Sequence, residues 1–309
     1  MTNHTKNGIS EIPEELDNHA ISRLLVSRRR LLGVSGVGLA AVGLGIAGCG
    51  KSTGTTAAAS ASASVSPATA ALLTVEEMEG PYYLDYELFR QNITEGKQGI
   101  PLSLQLDVID ALTGKALSGA AVEVWQCDSM GVYSGYTKNG SSYGNLPSGM
   151  PSTMPSVMPS GGFGSLGGHQ KATDKLTYLR GSQMSDSTGR VRFQTIFPGW
   201  YSGRALHIHT KVHVSGRHTA TGYTGGHVCH TGQLFFAETT ADKVQGLPQY
   251  VKNKATRTLL DQDHIYQAAG SGTRAGLLDL RQVDDNDVSK GIVASLSLGV
   301  DQSRTHTGE

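Results

Sequence analysis

Apolar and polar positions alternate in short runs over much of the chain, and a period of two places successive side chains on opposite faces of a strand. Residues 101–109 alternate in this way and are followed by a turn over 110–115, and residues 120–126 form a second such run. Residues 176–182 predict a short strand, 186–189 a turn, and 190–196 a strand that ends at Pro198-Gly199. Beyond that turn, His207, His209, Lys211 and His213 alternate with Ile208, Val212 and Val214. The polar set therefore shares one face, while Leu206, Ile208 and Val212 face a core. Residues 225–236 are glycine-rich and then strand-like, and 290–300 alternate and close the fold. Residues 238–261 carry the most helical pattern, with Thr240 as the expected N-cap. Strands separated by Gly-rich turns predict a mainly β domain, an antiparallel β-sandwich with long loops and little helix.

This patterning is confined to part of the chain. Residues 1–49 start polar, pass through Arg28-Arg29-Arg30-Leu31-Leu32, and continue as a Gly/Ala/Val/Leu run ending Ile46-Ala47-Gly48-Cys49. The segment resembles a twin-arginine export signal with a lipoprotein cleavage box, in which Cys49 becomes the acylated first residue of the mature chain. An uncleaved membrane helix over 31–48 is the alternative, near the lower length limit for a span; the glycines and the boundary cysteine favour processing. Residues 50–73 are Ser/Thr/Ala-rich and read as a tether. The folded domain is expected over 74–301, with a loop insertion at 134–171 and a tail at 302–309. Within the insertion Met150, Met154 and Met158 recur with Pro and Ser between them, the pattern of an irregular surface loop more than of a soft-metal tract. The implied location is the cell surface, as a membrane-attached lipoprotein, or the medium.

Composition adds two limits. Lys+Arg and Asp+Glu both count 26 in 309 residues, so no basic excess points to nucleic acid. Of the three cysteines, Cys49 belongs to the leader. An exported domain can bridge the other two, Cys127 and Cys229, or bury them as small hydrophobes, and the sequence leaves both open.

The chemistry concentrates around residues 195–214. His207 and His209 lie about 7 Å apart on one strand face, close enough to reach a single metal ion. A bare His-x-His pair is more often an ordinary hydrogen-bonded strand, but this one follows Tyr201 in a Pro-Gly turn and Arg204 just before the strand.

Trp125-Gln126, Gly131-Val132-Tyr133, Thr195-Ile196, Pro198-Gly199-Trp200-Tyr201, Arg204, His207-Ile208-His209 and Thr231-Gly232-Gln233 together resemble the intradiol ring-cleavage dioxygenases, over residues 79–236. That family, which includes protocatechuate and catechol dioxygenases, holds non-haem Fe(III) with two tyrosines and two histidines in a β-sandwich. The resemblance implies Tyr133, Tyr201, His207 and His209 as iron ligands. It gives Tyr201 a second role, leaving the metal to take a substrate proton. Arg204 would stabilise negative charge developing on the ring, and Gln233 would line the same pocket. The implied substrates are a small aromatic diol and O2, and the product a muconate-type diacid formed by cleavage between the hydroxylated carbons. Tyr82 and Tyr83 would close one side of the pocket, and His213, His227 and His230 would have no metal role. The chain departs from the well-known enzymes in its export signal, in the loop after Tyr133, and in lacking a recognisable N-terminal helical dimerisation domain. Two other classes remain open: an exported phenolic- or metal-binding lipoprotein without ring-cleavage activity, and a Zn or Cu site built on the histidine pair.

Overall fold

The computed structural model describes residues 73–85, 88–139, 169–220, 222–306 and 308. The export signal, Cys49, nearly all of the tether and the Met-Pro-Ser run lie outside the described residues. Two sheets organise the rest. In the first, β1 (Pro101–Asp110) is flanked by antiparallel β5 (Arg190–Ile196) and by β9 (Ile292–Val300), while β2 (Lys115–Ala116) pairs the last residues of β1. An outer strand, β8 (Asp279–Gln282), runs antiparallel to β9. The second sheet has the order β4 (Arg180–Met184), β3 (Ala121–Trp125), β6 (His207–Thr219) and β7 (Gly222–Phe235), all antiparallel.

The alternation explains how the sheets pack. Leu102, Leu104, Leu106 and Val108 of β1 meet Val122 and Val124 of β3 and Ile208, Val212 and Val214 of β6 in one buried core. Each such side chain contributes about 1.5–3 kcal/mol when removed from water. The opposite face of β3 and β6 therefore turns its odd-numbered positions, Glu123, Trp125, His207, His209 and Lys211, away from the core, and this is the face that carries the site. The mainly β sandwich expected from the sequence is the observed fold, with one parallel pair: β9 returns from the β8–β9 hairpin and so runs in the same direction as β1.

Local departures have local causes. The strand expected at 176–182 begins only at Arg180, because Leu179 has a φ of 58°, a left-handed conformation that interrupts an extended run. Helix α1 (Glu238–Gln245) is capped by Ala237, not Thr240; the Ala237 carbonyl accepts from the amides of Thr240 and Ala241, which puts Thr240 inside the helix. A second helix, α2 (His264–Ala269), was not expected; its N-cap, Asp263, accepts from the amides of Ile265 and Tyr266. Both Cys127 and Cys229 are free and buried, Cys229 between the sheets and Cys127 in an aromatic cluster beside the site. Residues beyond 301 continue onto the domain, with the His306 amide donating to Val228 and the Gly308 carbonyl accepting from Glu79.

Candidate metal centre

The segment between β5 and β6 brings Tyr201 and Arg204 to the outward face of β6. Its path depends on Gly199, where a Cβ would lie 2.4 Å from the Asp128 carbonyl oxygen; only glycine lets the two backbones pass that closely. Tyr133 reaches the same place from the turn after β3. Tyr133, Tyr201, His207 and His209 are all buried, with 2–4% of their surface exposed.

Their polar atoms converge. His207 Nε2 lies 3.1 Å from the Tyr201 hydroxyl, 3.5 Å from the Tyr133 hydroxyl and 3.1 Å from His209 Nε2. Donors bonded at about 2.0–2.1 Å to one metal ion stand roughly 3.0–3.4 Å from one another, so these separations match the edges of a coordination polyhedron. The histidine orientation fits as well. His207 Nδ1 is 2.6 Å from the Ala205 carbonyl, which fixes its proton there and leaves the Nε2 lone pair facing inward. Burial drives the His207 imidazolium pKa down to about 3, aided by the nearby Arg204 charge, and holds His209 well below its ordinary value for the same reason, with His207 and Arg204 adding to it. Both rings are therefore neutral at ordinary pH, the state in which they bind cations. Burial pushes the Tyr133 hydroxyl well above its usual pKa, with the adjacent Tyr201 adding to the shift; a bound cation acts in the opposite sense on its ligands.

The surrounding packing fixes the rings. Trp125, the cross-strand partner of His209, stacks on it at 4.8 Å with planes 5° apart. On another side Gly80, at a φ of 75°, brings the chain over the His209 ring, where a Cβ would stand 3.3 Å from Cε1. Tyr82 packs against Tyr133 with centroids 4.9 Å apart. Tyr83 lies one layer out, against Trp125, with the Lys211 ammonium over its ring and its hydroxyl donating to Glu123. Lys211 in turn pairs with the buried Glu79. His213 pairs with Glu123 and His227 bonds the Gln302 carbonyl, both away from the four donors.

Arg204 is 2% exposed and is held at both ends. Its Nε donates to Asp263 Oδ2 at 2.9 Å and an Nη donates to Gln233 Oε1 at 2.5 Å, while Gln233 Nε2 donates to the Met78 carbonyl at 3.0 Å. Asp263 Oδ2 also accepts from the Ala205 amide at 2.7 Å. Although burial opposes ionisation, the Arg204 guanidinium and the backbone amides hold the Asp263 carboxyl below its ordinary pKa. Sequence reasoning missed Asp263. The signal available was an N-cap aspartate, but a helix of six residues shows no periodicity to mark it. Glu77 was missed too: it is 8% exposed, and neither carboxyl oxygen makes a close hydrogen bond.

No family model matches the chain, and no curated protein matches it. Among solved structures it is similar to an intradiol ring-cleavage dioxygenase from Tetranychus urticae, at 28% identity over 76% of this chain and 97% of that one, with a TM-score of 0.59. A second solved dioxygenase is similar at 27% identity over 76% of this chain and 98% of that one, also with a TM-score of 0.59. The chain has the fold of the intradiol dioxygenases.

Proposed function

We propose that this chain is an intradiol dioxygenase that uses non-haem Fe(III) and O2 to cleave catechol-type diols between their hydroxylated carbons, giving muconate-type diacids. The observation that carries the reading is the convergence of two phenols and two imidazoles on one point, with the polar atoms of the other three residues 3.1–3.5 Å from His207 Nε2. Its general class is that of the solved dioxygenases of the same fold.

The donor set favours iron over the Zn or Cu alternative. Among the described residues no group of three or more His, Cys, Asp or Glu is placed to hold a metal, so the histidine pair must be completed by phenols. Anionic phenolates suit the ferric state. The residues to hold it are Tyr133, Tyr201, His207 and His209. When bound, Fe(III) supplies an electron acceptor through which the electron density of a chelated diol becomes available to O2.

The chain's own groups do the rest. Tyr201 sits in a loop instead of a strand, and its hydroxyl would hold a proton taken from the diol. Arg204, fixed by Asp263 and Gln233, presents an oriented positive charge that costs no reorganisation when negative charge develops on the ring. Trp125, Tyr82 and Gly80 wall the site and keep water away from it.

We also propose that the chain is exported through its Arg28-Arg29-Arg30 leader and tethered to the membrane by lipidated Cys49, which places its substrates among diols outside the cell. The test of function is oxygen uptake by the Fe(III)-loaded protein with catechol, protocatechuate and hydroxyquinol. Stoichiometric uptake with a ring-opened diacid supports the reading, and no uptake with any diol overturns it.

A further inference from the structure

Glu77 is a buried acidic side chain beside Arg204 that the proposed chemistry does not use. Its backbone amide is fixed to the Thr231 carbonyl on β7, and the next residue, Met78, accepts from the Gln233 side chain that also binds Arg204. This holds the Glu77 carboxyl close enough for the Arg204 and Asp263 charges to act on it. The two carboxyls differ in what they receive. Asp263 accepts from Arg204 and from the amides of Ala205, Ile265 and Tyr266. Glu77, 8% exposed, makes no close hydrogen bond on either oxygen and is drawn only weakly by the Gln233 backbone N–H. An ionised carboxylate so poorly supplied with donors in a dry interior is strongly disfavoured, whereas a neutral acid is tolerated.

We propose that Glu77 is a positioning residue of the reaction, held as an uncharged acid so that it adds no negative charge to the Asp263 carboxylate that already pairs with Arg204. Ionising it adds a second negative charge and weakens the positive field that Arg204 lends to the reacting ring. The catalytic half of this assignment rests on the dioxygenase reading; the charge state of Glu77 does not. The groups facing Glu77 are Arg204 from the segment before β6, Asp263 from the cap of α2 and the Gln233 amide of β7. Burial pushes the Glu77 carboxyl up to about 8; Arg204 pulls it down, Asp263 raises it further, and the backbone N–H of Gln233 again opposes.

The sign follows directly. The folded chain binds the Glu77 proton more tightly than the unfolded chain does, so stability is lost as pH rises through about 8. Between pH 7 and pH 9 the neutral fraction falls about tenfold, and the folding constant falls by about the same factor through this residue.

Three measurements on the full chain test the assignment. In metal-free protein, urea unfolding of the wild type is expected to show that tenfold loss relative to Glu77→Gln, whose amide mimics the neutral acid. Infrared difference spectra should show a protonated-carboxyl band in the wild type that titrates near pH 8 and is missing in the variant. In Fe(III)-loaded protein the wild-type kcat should fall about tenfold more steeply from pH 7 to pH 9 than that of Glu77→Gln. A folding constant and carboxyl band that do not move over this range overturn the assignment even if diols are cleaved. Parallel kcat profiles of the two proteins overturn the catalytic role even if the band titrates. A chain that shows the titration and cleaves no diol at any pH refutes the dioxygenase reading and, with it, that role.

Discussion

Replacing Asp263 by Asn removes the charge that balances a buried guanidinium while keeping the shape of the side chain. Arg204 and Asp263 are 2% and 0% exposed, so solvent screens neither of them. At their 2.9 Å separation the Coulomb attraction is about 6 kcal/mol at an effective dielectric of about 20, and the desolvation of both groups offsets part of it. Removing one partner leaves the other buried and unpaired, which destabilises by about 3–5 kcal/mol. An Asn side-chain carbonyl can still accept from Ile265 and Tyr266, so α2 keeps its cap. Asp263→Ala loses the cap as well and should cost about 1 kcal/mol more. The assay is urea unfolding of the metal-free wild type and both variants at pH 7, in parallel with turnover of the Fe(III)-loaded proteins. The wild-type advantage should be fully present above the ordinary aspartate range and be lost as pH falls from there through the lowered Asp263 pKa, because the folded state binds that proton less tightly than the unfolded chain does. An Asp263→Asn loss below 1 kcal/mol, with turnover intact, would refute the view that this pair fixes Arg204.

Other expectations follow from the same geometry. Tyr133→Phe and His207→Ala should each lower iron content by elemental analysis, and wild-type metal content in either variant counts against that ligand. Arg204→Ala should keep the visible absorption of the loaded protein while losing roughly 10²–10³-fold in kcat; loss of colour would assign Arg204 to metal retention instead. Gly199→Ala forces a Cβ against the Asp128 carbonyl and should destabilise by about 2 kcal/mol or more in thermal or urea unfolding. His230 is buried and its pKa is lowered by burial to about 3, with His306 adding to the effect. Its neutral form therefore supports the fold above about pH 6.5, and stability is lost as pH falls from there toward 3. His230→Gln should flatten that acid limb.

Much of this was legible in the sequence because alternation and motif order are local. The strands at 101–109, 120–126, 190–196 and 207–214 follow from a period of two, and that period also put His207 and His209 on the face away from the core. Tyr133, Tyr201, Arg204 and Gln233 were named from short motifs, and the structure brings all four to the same place as the histidine pair. What the pattern could not show depends on distant contacts or on single dihedrals. Leu179 delays a strand through one left-handed residue, and Ala237 caps a helix with no side-chain hydrogen bond. Asp263 and Glu77 reach Arg204 from segments far apart along the chain, and no spacing rule links them. The two cysteines, left open by composition, stand in separate clusters: Cys229 on β7 faces the core between the sheets, and Cys127, just past the end of β3, packs in the aromatic cluster beside the site.

The central claim is that two phenols and two imidazoles hold one ferric ion. The most direct measurement is the visible spectrum of the purified chain titrated with Fe(III). The account predicts a red-brown charge-transfer band that saturates at one iron per chain, weakens in Tyr133→Phe and Tyr201→Phe, and shifts when catechol is added. A chain that binds one iron and stays colourless, or keeps an unchanged band in both tyrosine variants, would contradict it.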